Sequence, residues 1–419
     1  MMQRRLSLYF GERQVGTLHD ADPMSFEYTP EWLAEPRRFA VADIPLIAGA
    51  QAGDPVQAYF ENLLPEGELR VYIAQQNKAS TLFSMLLAVA GDTAGAFVIL
   101  REGETPRPPS YQPSSWKELA RRLDRSTATA IGIHGTDARI SLAGAQDKTS
   151  IAIFEDGRPC LPRGTAPSTH ILKPDIRRLP KVWHSAANEA IVMRTAAHCG
   201  MPTAEVFYEA TTQACVVRRF DRIGSAGAPL ERLLQYDLCQ LAGALSGRKY
   251  EKEGGPGVVA CAELIRRHST QPAVDLRAFA EWIFFNLYVG NNDSHAKNLS
   301  IYWLPDGSVR LTPFYDLMCT RLYPGLSRDF AFTIGGQSAP GRIGPAQIEA
   351  LALGLRMKPA YLRKLAVDLG LRLPPALAQS LADIEPLLPH GAKDLAAKLS
   401  AFVLATTRKT AARFQAEAG

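Results

Sequence analysis

A polar loop in the C-terminal half of the chain carries reactive side chains at a restrictive spacing. Asp293 stands five residues before Asn298, and a second acid, Asp316, follows eighteen residues after that asparagine. Phosphoryl transfer needs one carboxylate to orient the attacking hydroxyl, and an amide with a further carboxylate to hold magnesium on the nucleotide phosphates. The spacing therefore favours a phosphotransferase site. The alternative is a polar loop in which Asp293 only caps a turn.

Between the asparagine and the second acid the sequence has the pattern of a β-hairpin. Two apolar runs, residues 299–303 and 309–311, are separated by the Pro-Asp-Gly turn formers at residues 305–307. Proline and glycine in such positions are typical of tight turns between paired strands. We expect the hairpin to bring Asp316 back to the side of Asp293.

The composition is that of an ordinary globular protein of two or three domains. The 419 residues are 46% hydrophobic and 21% charged, and a domain typically takes about 150 residues. No run reaches the roughly 20 apolar residues of a membrane span, and the N-terminus lacks a signal-peptide core, so we expect a cytoplasmic protein with no membrane partner. Six scattered cysteines include no C-x-x-C pair, which argues against a zinc site or a disulfide framework.

The pattern of apolar residues changes along the chain from mostly strand-like to mostly helical after residue 231. A proline-rich run, residues 103–115, is the strongest candidate for a linker. A β-rich lobe followed by a helical lobe is the order of a kinase. The expected strands are 6–10, 15–18, 96–100, 139–142, 149–154, 170–173 and 214–217, and the expected helices are 68–75, 82–89, 116–123, 187–198, 279–289, 345–355 and 392–414.

A segment of small residues between two strand patterns is a candidate phosphate loop. Its small residues allow close backbone approach, and successive N–H groups in such a turn form a nest for anions. The segment matches neither common glycine-rich phosphate motif, and an ordinary hairpin turn is the alternative. The residues of the candidate loop are Ala143, Gly144, Ala145, Gln146, Asp147 and Lys148.

Further positions follow in the order in which kinases use them. Lys173 ends an apolar strand and could pair with phosphates, or it could be a solvated lysine of an edge strand. Glu189 on the next helix could pair with that lysine, or it could be a surface residue in a first turn. Arg219 and Phe220 end the β-region, where a hinge would contact adenine, or they are structural.

These segments together resemble the HipA family of serine/threonine kinase toxins from bacterial toxin–antitoxin modules. The resemblance covers nearly the whole chain, and it implies an α+β, bilobal, atypical protein-kinase-like fold related to phosphatidylinositol kinases. That fold would have a β-rich N-terminal subdomain and an all-helical C-terminal lobe. The motifs that carry the resemblance are F-E-N-L-L-P-E-G (60–67), R-I-S-L-A-G-A-Q-D-K-T (139–149), H-I-L-K-P (170–174), N-E-A-I-V-M-R (188–194), V-V-R-R-F-D-R (216–222), N-D-S-H-A-K-N-L-S (292–300) and L-T-P-F-Y-D-L (311–317).

The resemblance implies a role for each matching residue. Asp293 would be the catalytic base, Asn298 and Asp316 the ligands of Mg²⁺, and Ser141 a serine that the kinase phosphorylates on itself. Glu189 would pair with the strand lysine. The residues expected to bind ATP are 143–148, Lys173, Arg219, Phe220, His295 and Lys297. Of these, His295 is also similar to the histidine of the D-R-H-x-x-N loop of lipid kinases.

Two departures from the family pattern are visible. Arg218 stands where the family pattern has an acid at the hinge. The metal motif reads Tyr-Asp-Leu instead of Asp-Phe-Gly, but this is usual in the family and leaves Asp316 intact.

The resemblance also implies partners and a domain plan. The antitoxin would be a small HipB-like helix-turn-helix repressor, through which the chain would meet operator DNA. The protein substrate would be an aminoacyl-tRNA synthetase, with the glutamyl enzyme as the first candidate. Rival interpretations are a small-molecule phosphotransferase and a degenerate kinase kept only as a co-repressor subunit. The expected domains are an N-terminal subdomain at 1–102, a linker and helix at 103–136, a kinase β-lobe at 137–230 and a kinase helical lobe at 231–419.

Overall fold

The chain folds into two compact units, each built from several stretches of sequence. The computed structural model describes residues 4–89, 92–125, 148–177, 179, 181–224 and 230–415. Unit 1 comprises Met1–Lys173, Arg219–Arg248 and Tyr302–Leu304. Unit 2 comprises Pro174–Arg218, Lys249–Ile301 and Pro305–Gly419. The domain boundaries expected from the sequence stay a prediction.

Unit 1 begins with an antiparallel sheet and the helices that cover it. Its elements are β1 (Arg5–Phe10), β2 (Arg13–His19), β3 (Ser25–Tyr28), α1 (Pro30–Ala34), β4 (Gln51–Ala52), α2 (Asp54–Asn62), α3 (Gly67–Asn77), α4 (Leu82–Val89) and β5 (Phe97–Arg101). The strands lie in the order β4-β3-β2-β1-β5. Gly16 in β2 permits close packing, because a Cβ there would lie 2.3 Å from the ring of Phe26. The hairpin, both helices and the last strand expected in this region are confirmed.

A second antiparallel set of strands in unit 1 overturns part of the linker prediction. It contains β6 (Ser110–Pro113), β7 (Thr149–Ile153), β8 (Pro159–Arg163) and β9 (His170–Lys173), with α5 (Trp116–Arg125) between β6 and β7. β6 lies inside the proline-rich run and pairs with β8, while β7 pairs with both β8 and β9. Tyr111 explains the difference, because its ring packs edge-on against Phe154 and its hydroxyl donates to the Pro167 carbonyl at 2.9 Å.

The remaining elements alternate between the units. Those before residue 248 are α6 (Ser185–His198), β10 (Val206–Glu209), β11 (Ala214–Arg218), β12 (Arg222–Ile223), β13 (Glu231–Arg232), β14 (Gln235–Asp237) and α7 (Leu238–Leu241). Those after it are α8 (Val258–His268), α9 (Pro272–Val289), β15 (Ser300–Trp303), β16 (Val309–Leu311), α10 (Pro345–Gly354), α11 (Pro359–Ile384) and α12 (His390–Gln415). The expectation of an all-helical C-terminal lobe is therefore wrong, because β13 to β16 lie within residues 231–419.

The core of unit 2 is a set of helices around α11. α11 packs against α6, α9 and α12, and it buries leucines at helical spacing, among them Leu362, Leu369 and Leu373. It continues through Pro374 and Pro375, although proline removes a backbone donor and normally ends or kinks a helix. Among the described residues no helix has both the length and the apolarity needed to cross a bilayer.

Candidate active site

The loop that carries Asp293 begins at a glycine-capped helix end. α9 ends at Gly290, whose φ of +71° lies in the left-handed region, and the N–H of Asn291 donates to the Asn286 carbonyl at 2.9 Å. A Cβ on residue 290 would also lie 2.7 Å from the ring of Phe402. Both the backbone conformation and the close packing therefore require glycine, and they set the direction in which the loop leaves the helix.

Buried side chains hold this loop from the inside. The amide of Asn291 donates to the Asn286 side chain at 2.8 Å, and its own oxygen accepts from the Asp293 N–H at 3.2 Å. The N–H of Asn292 donates to the Thr320 hydroxyl at 2.8 Å. The asparagines are buried, whereas Asp293 is exposed. The loop thus presents one carboxylate to solvent from a backbone that its neighbours fix.

Asn298 belongs to the same loop as the exposed carboxylate. Its side-chain N–H donates to the Asp293 carbonyl at 3.2 Å, and its backbone N–H donates to the His295 carbonyl at 2.9 Å. The amide nitrogen is therefore committed to the loop, so that Oδ1 is the atom that Asn298 would direct to a metal ion.

Asp316 follows the hairpin and lies in a segment that contacts the loop. The N–H of Thr312 donates to the Ser300 carbonyl at 2.9 Å, as the hairpin prediction requires. The Tyr315 hydroxyl donates to the Lys297 carbonyl at 3.0 Å and lies 2.8 Å from the Ser300 hydroxyl. Asp316 itself has a φ of +60°, a conformation that aspartate tolerates better than most residues do.

The segment after Asp316 is fastened by an asparagine that sequence analysis did not select. The side-chain oxygen of Asn188, on α6, accepts from the Cys319 N–H at 2.8 Å. Its amide donates to the Cys319 carbonyl and to the Tyr323 hydroxyl, each at 3.0 Å. All three residues are buried. The only signal in the sequence was the place of Asn188 in the motif that also contains Glu189.

A second residue missed from the sequence touches the exposed carboxylate directly. The hydroxyl of Tyr250 donates a hydrogen bond to Asp293 Oδ1, and its ring lies edge-on to His295 with the ring centroids 5.0 Å apart. Tyr250 lies 43 residues before Asp293, and no local pattern links the two positions. Only the fold of unit 2 reveals the contact.

The burial of Lys173 and Glu189 contradicts the alternative interpretations in which both residues lie on the surface. Lys173 is 5% exposed, so it is not a solvated edge-strand lysine. Glu189 is 1% exposed and is the fifth residue of α6, so it is neither on the surface nor in the first turn. A buried charge normally has a partner of opposite sign. That the two residues pair with each other stays a prediction.

The candidate phosphate loop lies almost entirely outside the described residues. Ser141 and residues 143–147 are among those not described, while Lys148 is half-buried directly before β7. Phe220, expected at the adenine hinge, is half-buried and packs edge-on against Tyr302, with the ring centroids 6.0 Å apart.

Arg219 belongs to a buried group of charges in unit 1, which we call the arginine–aspartate cluster (Asp92, Arg219, Asp221, Arg222 and Arg232). The side chain of Arg219 is 2% exposed and binds Asp221 at 2.8 Å and Asp92 at 3.1 Å. Arg222 binds the same two carboxylates, each at 2.9 Å. The guanidinium of Arg219 is therefore committed to protein carboxylates, and this favours the structural alternative over an adenine contact through its side chain.

The cluster shifts the ionisation of its acids strongly. Burial alone would raise the pKa of Asp221, but the charges of Arg219 and Arg222 outweigh it and lower the pKa to about 2. The same opposition of burial and neighbouring arginines brings the pKa of Asp92 far below its ordinary range. Both carboxylates are therefore charged at neutral pH.

Comparisons with known proteins agree on one family. The model of the HipA-like C-terminal domain matches residues 140–376, and that of the HipA N-terminal domain matches residues 6–100. Y4mE of Sinorhizobium fredii is 36% identical over 348 residues, which is 80% of this chain and 82% of that protein. The serine/threonine-protein kinase toxin HipA of Shewanella oneidensis is 28% identical over 404 residues, 91% of this chain and 90% of that one.

A solved structure extends the similarity to three dimensions. The Shewanella oneidensis complex of HipA, HipB and operator DNA contains a chain that matches with a TM-score of 0.84 and 26% identity. The match covers 98% of this chain and 98% of that chain. The mixed helical and sheet architecture described above is therefore shared with that structure along almost its whole length.

Proposed function

The chain belongs to the HipA family, and from that membership we propose that it is an ATP- and magnesium-dependent protein serine/threonine kinase that acts as the toxin of a toxin–antitoxin module. The observation that carries the proposal is the exposed Asp293 carboxylate, which a buried loop holds and which accepts a hydrogen bond from a hydroxyl. A general base must lie within hydrogen-bond reach of the hydroxyl proton that it removes.

In the proposed reaction Asp293 takes the proton of a serine or threonine hydroxyl. The hydroxyl oxygen bonds to the γ-phosphorus while the bond to the bridging oxygen breaks, and ADP leaves with that electron pair. Lys173 and Lys148 would pair with the phosphates, and His295 and Lys297 would line the nucleotide site. The backbone at Arg219 and the ring of Phe220 remain the proposed contacts to adenine.

The donor atoms of Asn298 and Asp316 suit magnesium. Mg²⁺ prefers oxygen ligands and commonly takes one or two protein groups, with phosphates and water completing its shell. Among the described residues no three or more His, Cys, Asp or Glu side chains are grouped as a metal cage, and a nucleotide-bound magnesium does not need one. When bound, the ion would neutralise charge that develops on the phosphates.

Asp316→Asn tests this assignment with little disturbance of the backbone. Asparagine also tolerates the left-handed conformation of residue 316, so the substitution removes the charge and one acceptor oxygen without straining the backbone. We expect the affinity for magnesium ATP to fall while affinity for ATP without magnesium stays the same. Titrating ATP with and without the metal measures this, and an unchanged magnesium dependence would remove Asp316 from the site.

The proposed partners follow from the family. The related Shewanella oneidensis structure contains HipA with HipB and operator DNA. For this chain we propose a small helix-turn-helix antitoxin of the HipB type, with which it would co-repress its own operon. The proposed substrate is an aminoacyl-tRNA synthetase, and the glutamyl enzyme is the first one to test.

Ser141 is the proposed site of self-silencing. A phosphoserine next to the phosphate loop would bring roughly −1.5 to −2 charges to a site that holds polyphosphate, and it would weaken ATP binding. Mass spectrometry after incubation with magnesium ATP checks the first step, and an active preparation without phosphate at Ser141 would contradict it. An Asp293→Gln acceptor mixed with active enzyme tells transfer between molecules from transfer within one.

One incubation tests the proposed function as a whole. The purified chain, magnesium and γ-labelled ATP are added to a cell extract, with the Asp293→Gln variant as control. Label in a protein band, absent with the variant, supports a protein kinase. Label only in small molecules would instead indicate a small-molecule phosphotransferase, and no label beyond the control would indicate a co-repressor without activity.

A further inference from the structure

A tyrosine that the proposed function does not use lies on the carboxylate that the reaction needs. The Tyr250 hydroxyl donates to Asp293 Oδ1, and an acceptor hydroxyl would have to donate its proton to the same carboxylate. Asp293 is exposed and Tyr250 is half-buried. The phenol therefore occupies Oδ1, one of the two carboxylate oxygens that could accept the proton of a serine or threonine.

The ring of Tyr250 is held by contacts other than this hydrogen bond. His295 lies edge-on to it at an interplanar angle of 84°. The ammonium groups of Lys249 and Lys252 lie 5.3 and 5.7 Å from the ring centroid, within the range at which a cation is attracted to an aromatic face. These contacts position the phenol whether or not it donates to the carboxylate.

The backbone that follows Tyr250 is also anchored within unit 2. Tyr250 precedes a short 3-10 turn, Glu251–Glu253, and the Glu251 carboxylate accepts from the Thr333 N–H at 2.5 Å. That carboxylate packs so tightly on Gly257 that a Cβ there would lie 2.5 Å from it. The tyrosine is thus delivered to Asp293 from a fixed turn.

We propose that Tyr250 is a positioning residue that occupies the acceptor place on Asp293 and excludes water until a protein hydroxyl displaces the phenol. This inference rests on the proposed kinase function. If water took the acceptor place, it would give its proton to Asp293, its oxygen would bond to the γ-phosphorus, and ADP would leave, so that ATP would be hydrolysed to inorganic phosphate. By filling that place, Tyr250 ties phosphoryl transfer to the arrival of a protein substrate.

Release of inorganic phosphate without any acceptor tests the proposal. The full-length chain is incubated with magnesium ATP alone, and Tyr250→Phe is compared with the wild type. Tyr250→Phe keeps the ring and removes the hydroxyl. We expect the rate of ATP hydrolysis to rise on the order of tenfold, because the free energy of one hydrogen bond to a charged group corresponds to about that factor. Tyr361→Phe, on an exposed position of α11, is the matched control and should change nothing. The double variant with Asp293→Gln should lose the gain.

Each other result overturns the role of Tyr250. Hydrolysis by Tyr250→Phe that is unchanged or slower would show that the phenol does not exclude water, and so would a rise that persists with Asp293→Gln. Phosphate found on Tyr250 itself would make the phenol an acceptor. Tyr250→Leu, which removes the ring as well, repeats the measurement if the first variant proves unstable, and melting curves of both variants check folding.

Failure of the kinase proposal gives a different pattern. Labelled protein in a cell extract without extra hydrolysis by Tyr250→Phe would leave the kinase standing and remove the tyrosine. Extra hydrolysis without any labelled protein would keep Tyr250 as the residue that excludes water and would refute the protein substrate.

Discussion

Two groups of carboxylates in this chain use the same side chain in opposite ways. In the arginine–aspartate cluster of unit 1, Asp92 and Asp221 are buried and paired with arginines at 2.8–3.3 Å. In the loop of unit 2, Asp293 is exposed and its carboxylate accepts a hydrogen bond from the hydroxyl of Tyr250. In the first arrangement the acid is neutralised by buried arginines and stabilises the fold. In the second the acid is accessible and can react.

The difference shows that a shifted pKa does not by itself mark a reactive site. The pKa of Asp221 is lowered to about 2, yet Arg219 and the Gly95 N–H already occupy its oxygens. Ion-pair networks that only stabilise a fold shift pKa values as strongly as catalytic sites do. At Asp293 the indication of function comes instead from exposure on a fixed backbone.

Replacing the exposed acid should give the largest effect on activity and little effect on stability. Asp293→Gln removes the proposed base, and loss of a general base typically lowers the rate about 10²–10⁴-fold. Phosphorylation of protein in a cell extract measures the rate, and a melting curve should match that of the wild type. Asp306→Asn, at the exposed turn of the hairpin, is the matched control. A folded Asp293→Gln chain with near-normal turnover would show that Asp293 is not the base.

Replacing a buried acid of the cluster should reverse that pattern. Asp92→Asn leaves Arg219 and Arg222 short of a carboxylate in the interior, and breaking a buried pair typically costs about 3–5 kcal/mol. The control is Glu102→Gln, whose partner Arg5 is 45% exposed, and an exposed pair contributes about 0–1 kcal/mol. Chemical unfolding of the full chain compares the two. Equal losses would mean that the cluster does not stabilise unit 1.

The cluster also bears on the role of the N-terminal subdomain, which could either bind partners or support the β-lobe. Asp92 and Gly95 bond to Arg219, Arg222 and Asp221 inside unit 1, which favours support. A chain that begins near Ser115 should then misfold as well as lose activity, whereas a folded and active one would restore the binding role.

A smaller effect is expected from the asparagine that fastens the segment after Asp316. Asn188→Ala leaves the buried N–H and carbonyl of Cys319 without their side-chain partner, and an unsatisfied buried group costs about 1–3 kcal/mol. We expect a lower melting temperature together with weaker binding of magnesium ATP. Gln379→Ala, at an exposed position of α11, should change neither property. Loss of stability without weaker binding would separate Asn188 from the metal site.

The smallest effect is the acid sensitivity of the cluster. Because the pKa of Asp221 is lower in the folded chain than in the unfolded one, its contribution is complete above about pH 4 and falls as the pH approaches 2. At pH 3 the free energy of unfolding should have lost about 1 kcal/mol from this group. The free energy of unfolding, measured between pH 5 and pH 3, should fall more steeply with decreasing pH for the wild type than for Asp221→Asn. Equal slopes would contradict the pairing.

Local patterns in the sequence predicted most elements that depend on neighbours along the chain. α4 has the predicted bounds, residues 82–89, because its apolar run is continuous and its ends are marked. The helix predicted at 187–198 occupies Ser185–His198, and Gly200, with a φ of +75°, follows its end. The family was also identified correctly from motifs in a fixed order.

Elements that depend on partners distant in sequence were missed or misread. Residues 110–113 were predicted to lie in a linker. Instead Tyr111 packs against Phe154 and donates to the Pro167 carbonyl, and β6 joins a sheet. α11 continues through Pro374 and Pro375, because buried contacts with other helices of unit 2 outweigh the lost backbone hydrogen bonds. Neither outcome can be read from the composition of the segment itself.

The sequence by itself determined the family, most helix and strand positions, and the three polar residues of the proposed phosphotransfer site, because these depend on residue type and short spacing. Only the tertiary structure decided which charged groups are buried in ion pairs and which are exposed. The side chain of Arg219 could be assigned to an adenine contact until the fold brought Asp92 to it across 127 residues. Tyr250 carried no signal until the fold placed its hydroxyl on Asp293. Burial and pairing belong to the arrangement of distant segments, and so does the difference between an acid that holds the fold and one that can react.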